Sequence, residues 1–131
     1  MYTIPPYAPP YLPFPGKFAD VTRYALVCEA PADAIAEIIT PPLEPREPKN
    51  QIEVFFSKFL DTPFGPYLEA GISVPVRYGD REGSNHAYMY LDVDDAVAHG
   101  RETYGMPKKM AGMTLEAVSY THLTLPTTPY V

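Results

Sequence analysis

The sequence has a single cysteine, no tryptophan, three histidines and no surplus of positive charge, and each shortage removes a class of protein. Cys28 has no second thiol to pair with inside the chain, which points to a reducing compartment. The net charge is −6, so the basic face that phosphate binding requires is missing and nucleic acid is excluded as a partner. A small anionic substrate needs only one local cation and stays open. His86, His99 and His122 have no metal-ligand spacing among them, so no metal or other cofactor is expected. No apolar run approaches the roughly 20 residues of a membrane-spanning helix, and the first residues lack the basic-then-apolar order of a signal peptide. A soluble cytoplasmic protein without a membrane partner is the expectation.

What the chain does have is proline: 17 in 131 residues, gathered at the start, around 41–48 and near the end. The middle is left free for strands. Eleven tyrosines and six phenylalanines suit a β-rich fold of single-domain size. Residues 1–16 (MYTIPPYAPPYLPFPG) cannot form a regular helix or a central strand. They read as an extended arm packed on a surface, with polyproline recognition by a partner as the lesser alternative.

Arg23 to Glu29 reads as a strand, and Pro31 suits the first turn of a helix through Ile39 with Ile35, Ile38 and Ile39 as its buried stripe. Leu43 to Asn50 reads as a loop and Gln51 to Leu60 as a strand. In Tyr67 to Tyr78, Ala70, Ile72, Val74, Val76 and Tyr78 alternate on one face, with Glu69, Gly71, Ser73, Pro75 and Arg77 on the other. Gly79 to Gly83 reads as a hairpin connection and Asn85 to Leu91 as the returning strand. A short helix is predicted over Asp94 to Tyr104, acidic at its positive end and stopped by Gly105, Met106 and Pro107. Lys108, Lys109 and Met110 then begin another extended piece.

Residues 119–131 (SYTHLTLPTTPYV) continue no strand alternation and closely resemble a translated sequencing-adapter read-through. On that reading the domain is residues 1–118, incomplete, followed by a non-native tail. The plain alternative is an ordinary threonine-rich tail.

Three blocks carry the chemistry: YLEAGISVPV at 67–76, YMYLDVDDAVAHGRE at 88–102 and GMPKKMAG at 105–112. In this order and near this spacing they resemble the acetoacetate decarboxylase family, with a weaker match reaching back to residue 4. That resemblance implies a mainly β fold, an antiparallel barrel with two short helices, here truncated before the strands that close its cavity. It also implies a homo-oligomer at full length. It places the Schiff-base nucleophile on Lys108, a neighbouring lysine on Lys109 and a pocket carboxylate on Glu69. An arginine that decarboxylases carry just before the first strand would fall near Val21. The nearest one here is Arg23, which leaves recognition of the substrate carboxylate open.

A lysine attacks a ketone only as the neutral amine, whereas an ordinary lysine side chain titrates near about 10.4. The family is a standing example of a lysine activated by desolvation or by a neighbouring cation. Adjacent side chains of an extended segment point to opposite faces. Two ammonium groups about 7 Å apart repel by about 2.4 kcal/mol at an effective dielectric of about 20. That is too little alone, so removal of water should dominate. Met89, Met106, Met110 and an aromatic residue are the expected walls.

Each residue also has a plainer reading. A Lys-Lys pair is usually a solvated surface charge, and Lys109 is expected to be structural or paired with a carboxylate. Arg101 reads as the partner of Glu102 in an ion pair anchoring the helix, and Glu53 as a possible second pocket carboxylate. The leading function is decarboxylation of a small β-keto acid such as acetoacetate through a lysine iminium, although this truncated chain is expected to be inactive. A Schiff-base aldolase or dehydratase acting on a keto acid is the first alternative. A barrel that binds an apolar ligand without chemistry is the second.

Overall fold

The computed structural model of the chain describes residues 15–116. Its centre is a hairpin. Strand β4 (Tyr67–Tyr78) turns through Gly79 and Asp80 into β5 (Arg81–Leu91), and Tyr78 pairs with Arg81. Gly79 has φ 60°, the left-handed value that tight primed turns require at a central position. The connection is therefore two residues, and Arg81 to Ser84 belong to the strand rather than to a loop.

Strand β1 (Ala19–Glu29) leads into helix α1 (Ala32–Ile38), then the two-residue β2 (Glu44–Pro45) and β3 (Gln51–Asp61). After β5 come helix α2 (Asp94–Tyr104) and β6 (Lys108–Met110). The sheet runs in the order β1-β3-β4-β5-β6, with β2 taking the part of β4 that β3 does not reach. All pairings are antiparallel except β5 with β6, which is parallel. The described residues therefore form a mixed, open sheet: the expected all-antiparallel arrangement is corrected at β5–β6, and the strands do not close into a barrel among these residues. An 11-residue helix between β5 and β6 returns the chain to the same end of the sheet, so β6 must run alongside β5.

The two helices cover opposite faces. Ile35 and Ile39, at the α1 end, pack on Val74 and Val76. On the other face α2 contributes Ala96 to a cluster with Phe55, Tyr67, Met89 and Leu91. Strand β4 therefore buries its even-numbered residues at one end and its odd-numbered residues Tyr67, Glu69, Gly71 and Ser73 at the other. The polar side of the alternation is the covered one here. A bulge completes that arrangement. Ile72 pairs with Tyr88 and Ser73 with His86, leaving Ala87 over, so His86 and Met89 point to the same face although their numbering differs by an odd step.

Among the described residues no helix is long and apolar enough to cross a membrane. The proline-rich arm before residue 15 and the tail from 119 onward lie outside the described residues.

Candidate active site

Lys108 reaches its place through the end of α2. Gly105, at φ 65°, closes the helix, its amide bonding the Arg101 carbonyl at 3.1 Å. The Met106 amide bonds the Gly100 carbonyl at 3.1 Å, and Pro107 then starts an extended course. On β6 the side chains alternate as a strand demands: Lys108 is buried and Lys109 is exposed. Lys108 lies beside Met89 in the sheet register, and Met89 is itself buried. Met106 packs on the Phe55 cluster. Met110 is corrected: it is 53% exposed, one step beyond Lys109 at the last residue of β6.

The Nζ atom of Lys108 sits 3.2 Å from Oε2 of Glu69, and the two side chains are 10% and 8% exposed. Burial disfavours an isolated ammonium, and an adjacent carboxylate supports it. The sequence put both residues in one pocket but did not foresee direct contact. Glu69 gets there because it is opposite Leu91 and Ser57 on the α2 side of the sheet.

Arg101 does not act as the partner of Glu102. Its Nη1 donates to the Lys108 carbonyl at 3.0 Å and so ties β6 to α2. Gly100 faces the Lys108 stem, which passes across it closely. Gly71 makes comparable room in β4: a β-carbon there would run into the Tyr88 carbonyl and lie 2.6 Å from Phe55 Cζ.

Beside this pair lies a second cation. Arg23 stands opposite Ser57 in the register, its guanidinium 4.0 Å from the centre of the Phe55 ring and 2.6 Å from Glu53 Oε1. A longer contact of 3.4 Å joins Arg23 to Ser57 Oγ. Glu53 therefore does belong to this face, holding Arg23 rather than the lysine. Phe55 forms a floor with the guanidinium above it and His86 against its edge, the ring centres 5.7 Å apart. The arrangement sets an amine, a carboxylate and a guanidinium around an apolar base.

The neighbours sense these charges. Burial pushes His86 below the ordinary imidazole value, with smaller opposing influences from Glu69 and Glu53 on one side and Arg23 and Lys108 on the other. Burial, then the charge of Lys108, lowers His99. Tyr67 is pushed well above the usual phenol range by burial and by the nearby Glu69 carboxylate. Sequence reasoning missed Ser57, His86, Tyr67, Phe55 and Gly100. Pairing register brings Ser57 and Phe55 in, and the Ala87 bulge decides the side on which His86 stands. Among the described residues no group of three or more His, Cys, Asp or Glu side chains is placed to hold a metal ion.

The family model described as acetoacetate decarboxylase matches residues 2–127. The chain is 37% identical over 119 residues to acetoacetate decarboxylase 1 of Bradyrhizobium diazoefficiens, covering 90% of this chain and 47% of that protein. It is 35% identical over 115 residues to the acetoacetate decarboxylase of Burkholderia cenocepacia, covering 87% and 46%. The crystal structure of the acetoacetate decarboxylase from Legionella pneumophila superposes with a TM-score of 0.81 at 31% identity, covering 89% of this chain and 46% of that one. The enduracididine biosynthesis enzyme MppR, with HEPES buffer bound, shares the fold at a TM-score of 0.69 and 17% identity, over 82% of this chain and 46% of its own. The chain thus spans about half the length of the curated relatives it matches. With a family model reaching across almost the whole sequence and relatives above 30% identity pointing the same way, this chain belongs to the acetoacetate decarboxylase family.

Proposed function

We propose that this site, in a protein of the relatives' full length, decarboxylates a small β-keto acid such as acetoacetate through an iminium on Lys108. The observation that carries the proposal is the enclosed contact of 3.2 Å between the Lys108 amine and the Glu69 carboxylate. A proton passes from the Lys108 ammonium to Glu69, leaving a neutral amine and a carboxylic acid. The amine adds to the ketone carbon, water departs and an iminium forms. The carbon–carbon bond to the substrate carboxylate then breaks. Its electron pair flows to the iminium nitrogen, carbon dioxide leaves and an enamine remains. The proton held by Glu69 leaves with that water, so the proton the enamine carbon takes comes from solvent, with Glu69 beside the amine to relay it. Hydrolysis of the new iminium returns Lys108 and the ketone.

Arg23 is the group suited to the substrate carboxylate. Its guanidinium lies over Phe55 on the same face as Lys108, and its two-nitrogen fork matches a carboxylate. Glu53 already holds it, so the substrate must share that cation or displace Glu53. The apolar floor favours the chemistry, because negative charge concentrated on the carboxylate disperses as carbon dioxide leaves.

The 131-residue chain by itself is expected to turn over no substrate. Arg23 and Glu53 are 40% and 36% exposed, and Tyr24, Leu26, Phe56 and Tyr90 stand exposed on the opposite face. Such apolar area suits coverage by further chain. In a full-length protein, carbon dioxide release from acetoacetate is the decisive measurement. Lys108→Arg keeps the charge and should reduce release to the uncatalysed background. Release unaffected by that substitution sinks the proposal. An iminium trapped on Lys108 without carbon dioxide would instead indicate an aldolase or dehydratase, and neither signal would leave a ligand-binding role.

A further inference from the structure

Helix α2 does more than connect two strands. A β-carbon on Gly100 would overlap Lys108 Cδ and lie 2.5 Å from Cε and 3.0 Å from Nζ. The lysine therefore occupies the volume that any other residue at this position would fill. Gly100 is buried, and glycine is a poor helix former, so propensity alone gives no reason for it here. The next residue, Arg101, bonds the Lys108 carbonyl with its guanidinium. The carbonyls of the same two residues accept the amides of Met106 and Gly105, which shape the turn into β6. Two consecutive residues thus set the turn, the backbone and the side-chain path of the amine.

We infer that Gly100 and Arg101 are positioning residues for the Lys108 amine, the first by leaving a channel for its stem and the second by anchoring its backbone. The consequence for the reaction rests on the decarboxylase reading above, whereas the consequence for where the amine sits does not. The atoms that collide with a β-carbon at position 100 are the outer part of a flexible side chain. Gly100→Ala should therefore keep the helix and expel the amine from its place beside Glu69. A turn-forming role alone predicts the opposite, because alanine stabilises a helix interior relative to glycine.

The test uses the full-length protein and trace acetylation by acetic anhydride, with lysine reactivity read by peptide mass analysis. In the parent, the enclosed Lys108 amine should acetylate at a rate several-fold apart from that of the exposed Lys109 and Lys58, slower where access governs and faster where the amine is held neutral. In Gly100→Ala, Lys108 should approach the Lys109 rate, while Lys58 stays unchanged as a sign that the fold is intact. Borohydride-trapped imine should fall by about 100-fold, the scale of a displacement near 1 Å in a reacting group. Arg101→Lys should show the same pattern to a smaller degree, since it keeps the charge and loses the planar fork.

Lys108 keeping its parent rate in Gly100→Ala, or matching Lys109 already in the parent, would overturn the inference. If Gly100→Ala lowers the melting temperature, the double variant with Lys108→Ala has no stem to collide with and should melt like Lys108→Ala alone. A loss that persists in the double variant would also overturn it. Should the parent form no trapped imine while the acetylation pattern still shifts as described, the decarboxylase reading fails and the positioning role stands.

Discussion

The two faces of β4 are built for different ends. One presents Val74 and Val76 to α1, sealed with Ile35 and Ile39 and without a buried charge. The other presents Glu69 and Ser73 to the side of α2, with a buried lysine, a guanidinium and an imidazole around Phe55. Burying apolar surface stabilises at roughly 25 cal/mol per Å², whereas a buried ion pair rarely gains over an apolar pair of the same shape. The contrast is between an α1 face buried by apolar contacts alone and an α2 face whose apolar cluster also encloses an ion pair, a stability cost for which the proposed chemistry would give a reason.

The largest expected effect falls on the chemical face. Lys108→Met should abolish turnover and also destabilise the full-length protein by about 3–5 kcal/mol, because Glu69 is left buried without its partner. Adding Glu69→Leu should recover most of that stability and none of the activity. Denaturant unfolding and carbon dioxide release together check it. A double variant no more stable than Lys108→Met would break the contrast, since the pair would then not be the source of the cost.

Next in size is the opposite face. Ile35 is 3% exposed, and Ile35→Ala should cost about 2–5 kcal/mol, the range for removing a buried aliphatic side chain. Turnover per folded molecule should be unchanged. If turnover fell while the protein stayed folded, the two faces would not be separable.

Acid and alkali sharpen the comparison further, since two shifted groups, His86 and Tyr67, lie on the α2 face. His86 is lowered in the folded protein, so the unfolded chain binds that proton more readily. Its contribution to stability is intact above about pH 6.5 and declines as pH falls below that value. His86→Leu should flatten this acid limb. Tyr67 is raised, so the stability it contributes is present below about pH 10 and lost as pH climbs beyond it. Tyr67→Phe should flatten the alkaline limb. Unfolding midpoints measured across pH test both directions.

Much of this was legible in the sequence. Helix α2 runs over the predicted residues and β4 has the predicted ends, because Pro66, Gly79 and Gly105 are strong local punctuation. The alternation across Lys108 and Lys109 followed from strand geometry alone. What stayed hidden depends on pairing. Nothing local shows that Ser57 lies opposite Glu69, that Ala87 is the extra residue of a bulge, or that β6 runs parallel to β5. Strand periodicity divided β4 into an aliphatic face and a face with Glu69 and Ser73, without indicating which would be covered. The cover given by α2 made the Glu69 side equally buried at the other end, which periodicity cannot indicate.

The smallest effect is expected at the rim. Arg23 and Glu53 are over a third exposed, so Glu53→Gln should alter stability by no more than about 1 kcal/mol. It should change KM for the keto acid more than kcat, since it frees Arg23 for the substrate carboxylate. Equal changes in both would place Glu53 in the reaction itself.

Reduction by borohydride during turnover, followed by peptide mapping, tests the central claim most directly. Acetoacetate that loses carbon dioxide on the enzyme leaves a product imine, and its reduction fixes an isopropyl group on the nitrogen. The account predicts that group on Lys108 and none on Lys109. An unmodified Lys108 in a protein losing activity under these conditions, or the label on Lys109, would contradict it.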